Sequence, residues 1–251
     1  MDFTERYGPW AVVAGGSDGI GASIARALGH QGLNVVLVAR RQQALDEVAG
    51  TIATDARTVQ LDLSRADAAE ALIEATSDID VGLFVYNAGA DTYTKSFLDL
   101  PVDVWQEMVT RNCSTLMRAT HHFAGPMVDR GRGGIVLISS GAAWAGGARI
   151  AVYGATKAFD LLLAESLWAE LAPSGVHVLG MVLGTTDTPS FRKLVGGRLP
   201  PDVADPDDVA RDMVDHLADG PTFPPDASPV GSLPRRTAVE LISQATAALH
   251  E

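Results

Sequence analysis

Short runs of consecutive apolar residues alternate along this chain with longer stretches whose apolar positions recur at helical spacing. The runs at 10–14, 33–39, 58–61, 83–86, 135–139 and 176–182 are rich in Val, Ile and Leu on successive positions. Unbroken runs of this length fit parallel strands buried on both faces. Helices are predicted near 20–30, 42–54, 65–77, 103–130 and 153–172. Strand–helix alternation repeated this often predicts an α/β fold. It is a Rossmann-like, doubly wound parallel sheet of six to seven strands with helices on both faces and right-handed crossovers.

The last third is less regular. Asp205 reads as an N-cap, Pro206 as a first helical position and Asp207 and Asp208 as first-turn acids, so a helix follows to about Ala218. Pro221, Pro224, Pro225, Pro229 and Pro234 come next. A seventh, edge strand is placed around Thr222 and Phe223, against the tendency of those prolines. Residues 237–249 read as a final helix that covers the sheet edge or meets another subunit. No linker, fixed-period repeat or low-complexity tract divides the chain, so residues 1–251 are read as one domain.

Composition narrows the class of protein. With 47% hydrophobic and 20% charged residues, the chain is an ordered globular one, long enough to bury a core without metal or disulfide staples. Its one cysteine, Cys113, cannot form an internal disulfide and suits a reducing compartment. The opening MDFTERYGPW has no apolar signal core, and no segment approaches the ~20 apolar residues of a membrane span. A cytoplasmic location is therefore expected. Nineteen basic against 31 acidic residues give a net charge of −12, which argues against nucleic acid or an anionic membrane as partner.

Candidate chemistry begins after the first strand. Gly15, Gly19 and Gly21 stand in G-x-x-x-G-x-G spacing and open a helix. Missing β-carbons let backbone approach a pyrophosphate, and the helix N-terminus offers unpaired N–H groups; an ordinary glycine-rich turn is the alternative. The second strand ends in Arg40-Arg41 with no acid, which favours the phosphate of NADP(H) over NAD(H), unless the pair merely begins a solvated helix. Asp62 is placed either to accept from an adenine amino group or to cap the helix that follows. Asn87-Ala88-Gly89 leaves room for a ligand at the fourth strand's end.

Tyr153 and Lys157 stand four apart on a predicted helix and so share a face. A neighbouring cation favours phenolate, which suits general acid–base work. Thirteen positions before Tyr153, Ser140 closes the fifth strand at the edge where ligands bind, able to hydrogen-bond a substrate oxygen. Helix capping accounts for Ser139 or Ser140 separately, but not for the Tyr and Lys as well.

On these residues the chain resembles the short-chain dehydrogenase/reductase family, in its single-domain branch of about 250 residues. The resemblance runs from Trp10 to about Pro189. It implies a cofactor half over about 8–130 and a catalytic and substrate half over about 131–251. It puts Asn112, Ser140, Tyr153 and Lys157 in the catalytic set. It implies cofactor contacts from Gly15, Ser17, Asp18, Gly19, Ile20, Gly21, Arg40, Arg41, Asp62, Leu63, Asn87, Ala88, Gly89, Gly184 and Thr188, besides Tyr153 and Lys157. The implied reaction is hydride transfer between NADP(H) and a ketone or secondary alcohol. Ser140 hydrogen-bonds the oxygen, Tyr153 exchanges the proton, Lys157 holds the ribose, and Asn112 anchors a water. Ala14, Tyr86 and Leu183 stand where the family commonly has Thr, Asn and Pro.

The substrate walls are expected in 141–150, with Trp144, and in 184–200, with Phe191, Leu194, Val195 and Leu199. Together with Ser140 and Tyr153 these make a roomy, largely apolar pocket. Arg149, Arg192, Lys193 and Arg198 read as solvated loop charges. The helix from Tyr153 is apolar on more than one face, which predicts a homodimer or homotetramer unless the C-terminal segment covers it. Adjacent His121 and His122 point about 100° apart and do not chelate one ion, so no metal is expected. Two other functions stay open: a β-ketoacyl thioester reductase, and a non-catalytic dinucleotide-binding regulator or scaffold, against which the intact Ser140, Tyr153 and Lys157 speak.

Overall fold

The computed structural model describes residues 1–90, 93–224, 233 and 235–248. Seven parallel strands form one sheet in the order β3-β2-β1-β4-β5-β6-β7. They are β1 (Trp10–Ala14), β2 (Asn34–Ala39), β3 (Ala56–Gln60), β4 (Val81–Tyr86), β5 (Gly133–Ser140), β6 (Val176–Leu183) and β7 (Thr222–Phe223). The order reverses between β1 and β4, so a crevice opens at their carboxyl ends.

Adjacent residues of a strand face opposite layers, and the two cores follow that alternation. Val13, Leu37, Val85 and Val136 pack beneath Ile24, Leu28, Leu45 and Met213. Val12, Val36, Phe84 and Leu137 pack on the other side, with Leu72, Leu116, Phe123 and Ala164. The first layer holds α2 (Gly19–His30), α3 (Gln42–Ala49) and α9 (Pro206–His216); the second holds α4 (Ala68–Ala75), α6 (Leu116–Asp129) and α7 (Ala151–Leu171).

Three features depart from the pattern read in the sequence. The helix expected over 103–130 begins as α5 (Val102–Val109) and passes through a π turn at Thr110–Thr115 before α6. The π turn is a change in backbone hydrogen bonding that no residue type within Thr110–Thr115 marks, so the sequence reads as one helix. A short α1 (Phe3–Tyr7) precedes the sheet, held by a reciprocal capping box in which Asp2 accepts from the Glu5 N–H at 2.7 Å. Another short helix, α8 (Pro189–Leu194), lies in the segment after β6, with Thr188 as its N-cap.

The edge strand β7 forms despite its prolines because it pairs on one side only, against Gly180 and Met181. Pro221 takes part through its carbonyl, which accepts from Gly180 N at 2.8 Å and needs no N–H. Pro225, Pro229, Pro234 and Leu249 lie outside the described residues. The last helix is α10 (Arg235–Ala248). It lies over the crevice, where Ser243 Oγ accepts from Ala148 N at 2.9 Å. On α7 part of the second apolar stripe is spent inside the subunit, since Phe159, Leu163 and Leu167 join the core while Leu162 stays 61% exposed.

Candidate active site

The glycine loop bridges β1 and α2 under two constraints. Asn87 Nδ2 donates to Gly15 O at 2.9 Å, tying the end of β4 to the loop. A β-carbon on Gly21 would lie 2.0 Å from that same Gly15 oxygen, so the helix can start this close to the loop only with glycine there. Asp18 occupies the N-cap of α2 but makes no capping hydrogen bond; its carboxylate pairs with Arg41. Among the described residues the first-turn N–H groups of α2 therefore have no side-chain acceptor, and the neighbouring acid is paired with its arginine. This uncapped cradle fits the pyrophosphate of a dinucleotide.

The two arginines at the end of β2 diverge. Arg41 is committed to Asp18, whereas the exposed Arg40 side chain makes no hydrogen bond or ion pair among the described residues. Asp62 Oδ1 accepts from Ser64 N at 3.0 Å and Ser64 Oγ at 2.7 Å, which closes a local turn; the helix that follows starts from Asp67, so Asp62 is not its cap. Burial opposes ionisation of Asp62, but those hydrogen bonds and the charges of Arg40 and Arg111 hold its carboxyl below the usual range. Leu63 is buried and receives Thr115 Oγ1 on its carbonyl at 3.0 Å, which locks the third strand's exit to the π turn.

That π turn presents Asn112, fully buried. Its Nδ2 donates to Thr156 Oγ1 at 2.9 Å and to Gly89 O at 3.4 Å, while Oδ1 accepts from Arg111 Nε at 3.1 Å. Gly89 sits at φ +144°, and a β-carbon there would meet Lys157 Nζ at 2.9 Å and Asn112 Oδ1 at 3.1 Å. The glycine thus lets the β4 exit, the π turn and α7 converge. Tyr86 answers for its own departure from the family pattern. Its hydroxyl, on a side chain 1% exposed, crosses to the π turn and donates to Arg111 O at 2.6 Å. Burial raises its pKa, so it acts as a neutral donor. Tyr86→Phe leaves that carbonyl without its donor. We expect a loss of about 1–3 kcal/mol, read as a fall of several degrees in Tm by calorimetry, and an unchanged Tm contradicts the assignment.

The two serines closing β5 have different duties. Ser139 is 2% exposed and its Oγ donates to Lys157 O at 2.7 Å, fastening α7 to the sheet. Ser140 faces the crevice, its Oγ accepting only a long 3.2 Å bond from Ala142 N. Ser140, Tyr153 and Lys157 line one cavity of about 470 Å³, together with Ile20, Asn87, Gly89, Gly184, Thr188, Phe191 and Leu194. That volume lies within the range of small-molecule sites. Thr188 closes the ring of contacts, its methyl packed so near Gly19 that a β-carbon there would approach it to 2.8 Å.

Trp144 is not brought to the cavity wall; it packs with Ala145 against Ala238, Leu233 and Ile242. The wall instead includes Ile242, Ala245 and Thr246 of α10, which the sequence reading did not place there. Their signal is present, because Ala238, Ile242 and Thr246 recur every fourth residue on one helix face. Cys113 beside Asn112 is no nucleophile, as burial pushes its thiol up to about 11. Among the described residues no helix is long and apolar enough to cross a membrane.

Comparison with known proteins bears on family and fold. The family model for short chain dehydrogenases matches residues 9–198. A 7β-hydroxysteroid dehydrogenase of Clostridium sardiniense is 36% identical over 200 residues, spanning 77% of this chain and 75% of that protein. A structure solved to explain 7β-hydroxysteroid dehydrogenase stereoselectivity superposes with a TM-score of 0.81 at 28% identity, covering 88% of this chain and 89% of that one. A short-chain dehydrogenase from Sphingobium yanoikuyae in complex with NADPH gives a TM-score of 0.76 at 27% identity, with 96% and 95% covered.

Proposed function

The chain belongs to the short-chain dehydrogenase/reductase family of NAD(P)-dependent oxidoreductases, and on that premise we propose that it uses NADP(H) to interconvert a bulky apolar ketone and its secondary alcohol. The observation that carries this reading is the convergence of Ser140, Tyr153 and Lys157 on one largely apolar cavity beside the uncapped start of α2. The 7β-hydroxysteroid dehydrogenase relative supports a substrate as large as a fused-ring ketone.

The residues divide the work. The backbone N–H groups at the start of α2 and the loop of Gly15 to Gly21 hold the pyrophosphate, with Asn87 bracing the loop. Bound there, the dinucleotide supplies or accepts the hydride. Ser140 Oγ hydrogen-bonds the substrate oxygen and fixes it in the cavity. The Tyr153 hydroxyl gives its proton to that oxygen in reduction and takes it back in oxidation. Lys157 holds the cofactor ribose. Phe191 and Leu194 of α8 and Ile242 of α10 exclude water from the apolar part of the substrate.

Cofactor choice rests on Arg40, whose guanidinium makes no hydrogen bond or ion pair among the described residues. A charge-assisted contact to a 2′-phosphate is worth about 1.5–3 kcal/mol, or about 10- to 100-fold in affinity. Arg40→Ala is therefore expected to weaken NADPH by that factor and to leave NADH within about threefold. Fluorescence titration of both cofactors tests it, and equal losses for the two, or none, would overturn the assignment.

A further inference from the structure

Asp160 lies one turn beyond Lys157 on α7, with its side chain 1% exposed. Oδ2 accepts from Lys157 Nζ at 2.9 Å, whereas Oδ1 is buried with no hydrogen-bond partner among the described residues. Lys157 Nζ also donates to Ile138 O at 2.8 Å. An ammonium has three donors, so one is left for the cavity that Lys157 lines. The charged and titratable groups facing the carboxylate are Lys157 on its own helix, Cys113 on the π turn and Tyr86 on β4.

Such a carboxylate is an expensive way to fill this place. Its neighbours along the helix, Leu161 and Ala164, belong to the buried apolar core, and a leucine would complete the packing without a desolvated charge. The half-satisfied Asp160 makes sense through the lysine it touches. Resting on the reaction proposed above, we propose that Asp160 is a positioning residue, a buried carboxylate that pins Lys157 Nζ between Ile138 O and the Gly89–Asn112 corner so that its third N–H is kept for the cofactor ribose.

Burial pushes the Asp160 carboxyl up to about 6 against the pull of Lys157. Above that pH the carboxylate is charged and the grip is complete. Below it the acid is neutral, and its contact with Lys157 falls to an uncharged hydrogen bond beside the one to the Ile138 carbonyl.

The test is NADPH affinity, by fluorescence titration between pH 5 and pH 8, for the wild type, Asp160→Asn, Lys157→Ala and the double variant. The 2′-phosphate of NADPH itself titrates near pH 6, by analogy with other phosphate monoesters, so each variant is compared with the wild type at the same pH. Asp160→Asn is expected to bind about 10-fold more weakly at pH 8, with the ratio closing to within about twofold at pH 5. In the Lys157→Ala background the same substitution is expected to change affinity less than about twofold, because its route of action is gone. A ratio of one at pH 8, a ratio independent of pH, or an undiminished loss without Lys157 would each overturn the proposal. Should Asp160→Asn not fold, the ratio of Lys157→Ala to wild type decides alone: it closes as pH falls through about 6, and a constant ratio overturns the proposal. Turnover of bulky ketones is followed in parallel. Wild-type protein that binds NADPH in this pattern but reduces no ketone would overturn the proposed reaction and leave the role of Asp160 standing.

Discussion

Tyr153→Phe is expected to lower ketone turnover by about 10²- to 10⁴-fold, the range of a lost general acid–base, while NADPH affinity stays within about threefold of wild type. The substitution removes one oxygen from a side chain that lines the cavity. That hydroxyl has no hydrogen-bond partner among the described residues, so nothing in the fold is left unsatisfied by its loss. The ring remains against the cavity, and α7 keeps its fastening through Ser139. Steady-state NADPH consumption and fluorescence titration on one preparation separate the two effects. Equal activity in the variant would show that the proton comes from elsewhere, and a parallel loss of NADPH binding would show that the ring serves the cofactor rather than the chemistry.

The second large effect is a crossed pair at the end of β5. Ser140→Ala is expected to reduce kcat by about 10²- to 10³-fold, as for loss of a donor to a developing oxyanion, with Tm nearly unchanged, because its hydroxyl makes only a long bond to Ala142 N. Ser139→Ala is expected to do the reverse. It deletes a buried 2.7 Å bond to Lys157 O and costs stability, about 1 kcal/mol or a few degrees in Tm, while retaining most of the turnover. Melting curves and kinetics on both variants read out the crossing. Loss of activity in Ser139→Ala with Ser140→Ala unimpaired would exchange the two roles.

Much of this was legible in the sequence because parallel strands announce themselves. Buried on both faces, β1, β2, β4, β5 and β6 read as unbroken apolar runs, and each stands within one or two residues of its expected place. Tyr153, Lys157 and Ser140 were legible through spacing, since four residues on a helix and the last residue of a strand fix which side chains meet. What spacing did not reveal was commitment. Arg40 and Arg41 are equivalent in the sequence, and only the pairing with Asp18 distinguishes them. Ser139 and Ser140 differ only in which face of the sheet each side chain takes.

The π turn at Thr110–Thr115 escaped for a different reason. No residue type in that segment marks the wider turn, yet it is the segment that carries Asn112 to Gly89 and Thr156. Asp160 escaped as well, because a single acid in an amphipathic helix ordinarily marks the solvent face; its burial against Lys157 is a tertiary fact. The placement of α10 was undecided because its apolar face fits a sheet edge, a subunit or a cavity equally well. The contacts of Ile242 and Ser243 with the Gly147–Ala148 segment bring one face of it to the crevice.

On the reading proposed above, this cavity reduces a bulky ketone with a dinucleotide held at the start of α2. The most direct measurement is NADPH consumption by the purified wild-type protein across a panel running from small acyclic to fused-ring ketones, with NADH in matched reactions. Turnover is expected to rise with the size and apolarity of the ketone and to run faster with NADPH than with NADH. Tight NADPH binding with no consumption on any ketone would contradict it.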